Sequence, residues 1–185
     1  MALTATIYKM NLQITDLDRN YYESHQLTLA KHPSETSERM MVRVAAFLLN
    51  ASDGLQLCKG LSDEDEPALW EKELTGEIRL WIEVGLPDEK RIRKACSRAR
   101  KVVVYCYGGR TADIWWQQTG PSLARYDKLS VINLPGEETR ALADIEQRTL
   151  QLQCTLQDGQ VWLTADGQEL QLTPVAWKAA SNDND

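Results

Sequence analysis

Four carboxylates and two cations mark where this chain can do chemistry. Asp63-Glu64-Asp65-Glu66-Pro67 is a turn crowded with acids that runs into the apolar Ala68-Leu69-Trp70. Thr75-Gly76 connects it to Glu77–Gly85, a strand pattern with Glu83 near its end. Glu38 lies upstream in a helical segment, and Arg91 and Lys94 follow in a cation-rich helix start, Leu86–Ala95. Hard cations such as Mg²⁺ take oxygen ligands, usually one or two carboxylates plus substrate phosphates. A metal so held polarises a phosphate and lowers the pKa of bound water. A neighbouring cation steadies the developing charge. On this reading Glu38, Asp65 or Glu66, and Glu83 are the candidate Mg²⁺ ligands. Lys94 and Arg91 are the candidate catalytic cations, and a nucleic acid is the candidate substrate.

Other chemistries have less support. There is no phosphate-binding loop and no dinucleotide fingerprint, and no Gly-x-Ser-x-Gly elbow. Only two histidines are present, His25 and His32, so a His-based triad is not expected. Cys58, Cys96, Cys106 and Cys154 form no Cys-x-x-Cys pair, which argues against a zinc ribbon. Each has apolar neighbours and reads as a buried, reduced thiol, in keeping with the cytoplasm. Nothing in the sequence resembles a signal peptide or a membrane helix, so no membrane partner is expected.

The elements that must position these groups follow from periodicity. Residues 3–31 read as a long β-hairpin, with Ile7, Met10, Leu12 and Ile14 among polar residues and a turn at 16–20. His25 reads as a surface or cross-strand residue. Pro33 and Ser34 suit a helix entrance, and Glu35 and Glu38 suit a first turn. The helix continues to about Asn50 and buries Met41, Val44, Ala45 and Leu48. Glu38 falls on that same face, where a carboxylate is costly unless paired or metal-bound.

Leu55–Cys58 and a segment starting near Ala68 read as strands. In the strand that carries Glu83, alternation places Ile78, Leu80, Ile82 and Val84 on one face and Arg79, Trp81 and Glu83 on the other. A helix from Asp88 to about Arg100 buries Ile92, Ala95, Cys96 and Ala99. Its Arg91, Lys94 and Arg98 form a row suited to an anion. Lys101–Tyr107 is a nearly continuous apolar run, the pattern of a buried strand open to parallel pairing. A helix over 111–123 carries Trp115 and Trp116, and another strand covers Leu129–Leu134. Glu137–Glu146 reads as a short helix. From Thr149 a three-stranded meander turns at Asp158-Gly159 and Asp166-Gly167, and joins the N-terminal hairpin in a second, mostly antiparallel sheet.

The expected fold is therefore α/β: one domain over residues 1–180, followed by a disordered acidic tail at 181–185. With 185 residues, 43% hydrophobic and 26% charged, it can bury roughly 70% of its unfolded surface without disulfides or structural metal. A net charge of −6 lowers its general affinity for nucleic acid, which depends on neutralising cations. Local clustering of those cations leaves binding open.

Several segments together carry a family resemblance: His32–Met41, Asp65-Glu66-Pro67 with Trp70, Trp81–Pro87, Arg91–Ala95 and Ile114–Gln118. They resemble the bacterial YaeQ family over nearly the whole chain. That family is similar in fold to PD-(D/E)XK nucleases, which implies a mixed central sheet of restriction-endonuclease-like type. By the resemblance, Glu38 matches the helix carboxylate, Asp65 or Glu66 the strand acid, and Glu83 the second acid of the motif. Gly85 stands where the motif lysine is expected, and Lys94 or Arg91 would replace it in space.

Three functions follow, separable by geometry. A Mg²⁺-dependent nuclease-like protein needs the acids to converge with no basic side chain between them. A non-catalytic nucleic-acid- or protein-binding module needs a bare positive groove. A scaffold would pair its acids internally with Arg79, Arg91 or Lys94.

Overall fold

In the computed structural model, which describes residues 4–59, 61 and 63–181, the chain forms two mixed sheets and four helices. The first sheet begins with the hairpin β1 (Thr6–Asp16) and β2 (Tyr21–Lys31). It is completed by the meander β8 (Thr149–Gln157), β9 (Gln160–Ala165) and β10 (Gln168–Leu172), in the order β10-β9-β8-β1-β2. Asp158 and Asp166 take positive φ beside Gly159 and Gly167, as Asp-Gly hairpin turns require. Only the β1–β8 pairing is parallel. The inward residues of the hairpin include Tyr8 as well as Met10, Leu12 and Ile14, whereas Ile7 and Tyr22 face out. Period-2 alternation, not side-chain type, settles which of two adjacent apolar residues is buried.

The second sheet contains β3 (Leu55–Leu57), β4 (Leu69–Lys72), β5 (Ile78–Val84), β6 (Ala99–Cys106), β7 (Leu129–Asn133) and β11 (Val175–Lys178), in the order β11-β7-β6-β5-β4-β3. Strands β5, β6 and β7 are parallel. The crossovers between them are α2 (Glu89–Arg98) and α3 (Arg110–Leu123). Both helices cover one face, where Trp81, Val102, Val104 and Val131 meet Ile92, Ala95 and Leu123. The other face carries Ile82, Val84, Val103 and Tyr105 and meets α1 (Ser37–Asn50) and α4 (Gly136–Asp144). Strand β11 lacks any sequence expectation; it is a short antiparallel edge added after the meander.

Helix α1 departs from its expected single stripe, for it is buried all round from Met40 to Leu48. It lies between the two sheets and contributes to one core with both of them, so no side of the stretch from Met40 to Leu48 meets water. Each large apolar side chain buried there contributes roughly 1.5–3 kcal/mol. The helix begins later than Pro33-Ser34 suggests, because Thr36 is the N-cap and its hydroxyl accepts from the Arg39 N–H at 3.0 Å.

The faces of β5 also need one correction. The register slips between Glu71 and Lys72, so Ile78 pairs one position out of step. This irregularity puts Ile78 into the Trp81 core, while Ile82 and Val84 line the opposite one. Apart from Ser181, the expected tail lies outside the described residues. Among the described residues no helix is long and apolar enough to cross a membrane.

Candidate functional site

Glu83 lies near the C-terminal end of β5, two residues after Trp81 and on the same face. It is 5% exposed, among the few buried charged groups. Its Oε1 accepts from the indole Nε1 of Trp81 at 2.7 Å and from the Nε of Arg91 at 2.8 Å. Arg91 arrives from the first turn of α2, which is capped by Asp88 accepting from the Arg91 N–H at 2.8 Å. One residue's backbone thus holds the helix start while its guanidinium holds the carboxylate.

The rest of the cation row grips the acidic turn. Arg91 also donates through Nη2 to the Glu66 carbonyl at 2.8 Å. Lys94 donates to the Glu64 carbonyl and to Asp65 Oδ1, both at 2.9 Å. Arg98 donates to the Asp65 carbonyl at 2.9 Å and lies over the Trp81 ring, 5.2 Å from its centroid. A hydrogen bond from Lys94, supported by its charge, holds the Asp65 carboxyl below the usual carboxylate range. Three cations one helical turn apart therefore seat a turn that has no secondary structure of its own.

Cys58 lies close to the same acids. Burial pushes its thiol up to about 12, and the charge of Glu66, with that of Glu83, adds to the rise. The thiolate is correspondingly disfavoured, so Cys58 is a neutral packing group here. A cleft of ≈ 380 Å³ opens in front of Glu83, lined by Arg39, Asp63, Glu64, Leu86, Pro87 and Arg91 among others.

Glu38 is placed elsewhere. It is half-buried and its Oε1 accepts from the Thr139 hydroxyl of α4 at 2.7 Å. The fully buried carboxylate of this region is Glu35, one residue before the cap and not in the first turn of α1. Its Oε1 accepts from Arg43 Nη2 at 2.7 Å, and its Oε2 from Arg39 Nη1 at 3.0 Å. Sequence reasoning passed over this cluster, because Arg43 falls in the middle of an apolar helix. That placement was itself the available signal, since a buried arginine needs a partner.

The structure thus brings Glu83, Arg91, Lys94 and the Asp65-Glu66 turn together, and joins Glu38 to α4. Among the described residues no three His, Cys, Asp or Glu side chains come close enough together to hold a metal ion. Gly85, where the resemblance led to the expectation of a lysine, has φ +111°, and a Cβ there would meet nothing within 4 Å. Backbone conformation, not space, calls for glycine at that point.

Beyond Arg91 and Lys94, the outward side of α2 lines a cavity of ≈ 700 Å³ with Glu64, Asp88, Lys90, Arg93 and Ser97. Lys90 and Arg93 are exposed and have no ion pair with any described residue.

Residues 1–174 match the family model for the YaeQ protein. The chain belongs to the YaeQ family. It is 46% identical over 181 residues to the relative from Escherichia coli (strain K12) called "Uncharacterized protein YaeQ", covering 98% of this chain and 100% of that one. The Salmonella typhi relative of the same name is 46% identical over the same length. The crystal structure of the YaeQ protein from Xanthomonas axonopodis pv. citri superposes with a TM-score of 0.92 at 48% identity, covering 95% of this chain and 99% of that one. That of the Pseudomonas syringae YaeQ protein gives 0.91 at 34%, covering 96% and 98%. The two-sheet architecture described above is therefore that of the YaeQ family.

Proposed function

We propose that this protein binds nucleic acid without cleaving it, on a core of nuclease-like type whose acids are held by its own cations. The observation that carries this reading is Arg91. Its guanidinium bonds Glu83 and the Glu66 carbonyl together, and Lys94 takes Asp65. Mg²⁺ demands near-octahedral oxygen ligation. The described acids do not offer it in this arrangement.

Lys90 and Arg93 beside them, which pair with no described residue, suit phosphate oxygens, which bind by charge and counterion release. The smaller cleft at Glu83 and Val84 lies at the carboxyl end of the parallel strand β5, where open α/β sheets commonly place ligands. Electrophoretic or anisotropy binding of a labelled single-stranded oligonucleotide, in EDTA and then in Mg²⁺, tests the reading. The expected result is binding in EDTA, weakened in Lys90→Ala/Arg93→Ala, with the strand intact after incubation in Mg²⁺. Cleavage that disappears in Glu83→Gln would overturn it.

One observation favours a metal-dependent nuclease-like activity as the second reading. Glu66 and Glu83 both act on Cys58, so two carboxylates of the expected set share one neighbourhood. In this reading Arg91 is a plug that substrate displaces.

A further inference from the structure

The two sheets end in edge strands β10, β2, β11 and β3, and all but β2 are short. β3 has 3 residues, β10 has 5, and β11 has 4 with a register shift between Ala176 and Lys178. Short or irregular edges resist pairing with another chain. β2 has 11 residues, opposes β1 with no register shift and contains no proline.

The ladder of β1 identifies the backbone groups that β2 leaves free. The N–H groups of Lys9 and Leu17 donate to the carbonyls of Arg148 and Leu156, both at 2.8 Å. Odd-numbered residues of β1 thus turn their backbone towards β8, and even-numbered ones towards β2. The even-numbered Tyr8, Met10, Leu12 and Ile14 oppose Leu29, Leu27, His25 and Glu23. Ser24, Gln26, Thr28 and Ala30 consequently direct their N–H and C=O groups away from β1. Among the described residues one donor meets these groups, Arg43 Nη2 at 3.3 Å from the Ala30 carbonyl.

Charge selects the occupant of this edge. Glu23 and Lys31 lie towards its two ends, and residues 24–30 between them include no acid, lysine or arginine. Glu23 is exposed and has no ion pair with any described residue, whereas Lys31 bonds Glu146 at 3.0 Å. A second copy running antiparallel, with Leu27 on the two-fold axis, sets Glu23 of each copy opposite Lys31 of the other. The same register opposes Ser24 to Ala30 and Gln26 to Thr28, so the free backbone groups exchange hydrogen bonds. A parallel copy in register would set like charge against like.

We propose that two copies of this chain pair through β2, antiparallel about Leu27, and join their five-stranded sheets into one. The interface is separate from the cleft of the binding reading, which opens at β5 in the other sheet.

Sedimentation velocity over a roughly hundredfold concentration range tests the pairing by mass action, and amide exchange by NMR at both ends of that range locates it. A monomer–dimer equilibrium is expected. The amides of Gln26 and Thr28 should exchange freely in dilute protein and become protected in concentrated protein, while those of His25 and Leu27 are protected throughout. Gln26→Pro removes an outward donor and spares the β1 ladder, and it should abolish the dimer. Glu23→Lys leaves the backbone unchanged and sets like charges together at both ends. It should weaken the dimer roughly tenfold, and it keeps the test valid if the proline variant fails to fold. A monomer over the whole range would overturn the proposal. So would a dimer that Glu23→Lys does not weaken, or one in which the Gln26 and Thr28 amides exchange as freely as in the monomer.

Discussion

Two glutamates in this molecule are each held by two donors, and the pairs differ in what lies beyond them. Glu35 and Arg43 both have side chains 1% exposed, and Arg39 closes the remaining oxygen. Glu35 and Arg43 present no exposed group to a ligand, and only Arg39, 17% exposed, reaches the lining of the cleft. Glu83 is almost as buried, at 7%, but its partner Arg91 is 29% exposed and continues outward to the carbonyls of an acidic turn. The first pair closes on itself inside α1 and the preceding loop. The second sits at the rim of a cleft, and its arginine joins a buried acid to a loop. Ion pairs of similar length can therefore do different work: one fixes a helix start, and the other ties a buried acid to an exposed loop.

Removing the inner partner should break the comparison most sharply. Arg43→Met leaves Glu35 buried with one donor, and such uncompensated charges cost roughly 3–5 kcal/mol. Urea denaturation should show a loss in that range, and a loss below about 1 kcal/mol would mean the pair is not closed in the way described. Arg91→Ala should cost less, about 1–3 kcal/mol, since Trp81 still donates to Glu83 and water can reach the vacated side. The same variant sharpens the functional contrast. Calorimetric Mg²⁺ binding by Arg91→Ala, absent again in Arg91→Ala/Glu83→Gln, would show that the arginine had covered a metal site. If the single variant takes up no Mg²⁺, the plug reading falls.

Trp81→Phe keeps a large ring under Arg98 and removes one neutral donor. About 1 kcal/mol is expected in thermal or urea unfolding. The smallest effect should be that of pH on the acidic turn. The carboxyl of Asp65 titrates below its ordinary value in the folded state, so the clamp to Lys94 is intact above the unfolded value. It is lost as pH falls through the folded one. A carbon-detected NMR titration should give a midpoint for Asp65 below that of an unstructured aspartate. In Lys94→Ala it should rise towards the ordinary value, with Arg98 still 3.9 Å from the carboxyl.

Much of the scaffold was legible because local patterns reported it directly. Asp-Gly turns, the apolar run of β6 and the 3.6-residue spacing of α2 each depend on neighbours in sequence, and they appear in the structure as expected, except that α2 ends at Arg98 and Ala99 opens β6 instead of closing the helix stripe. The boundary of α1 was less legible. Both Ser34 and Thr36 can cap a helix, and only the hydrogen bond to the Arg39 N–H distinguishes them. Alternation in β5 failed at Ile78 because the slip is set by pairing with β4, across a turn.

The candidate site divides along the same line. That the chain carries acids on a turn, an acid at a strand end and cations on the following helix was determined by its sequence, and so was its family. Hydrophobic periodicity then placed Glu83 beside Trp81. Whether acid would meet acid or acid would meet arginine was decided only by tertiary structure. The crossover from β5 through α2 turns the helix back along the strand, and this brings Arg91 to Glu83 and lays Lys94 and Arg98 over the turn at 63–66. Glu38 was drawn off by Thr139, 101 residues away in the chain. Such partners are chosen by packing between elements distant in sequence, and no spacing along the chain records them.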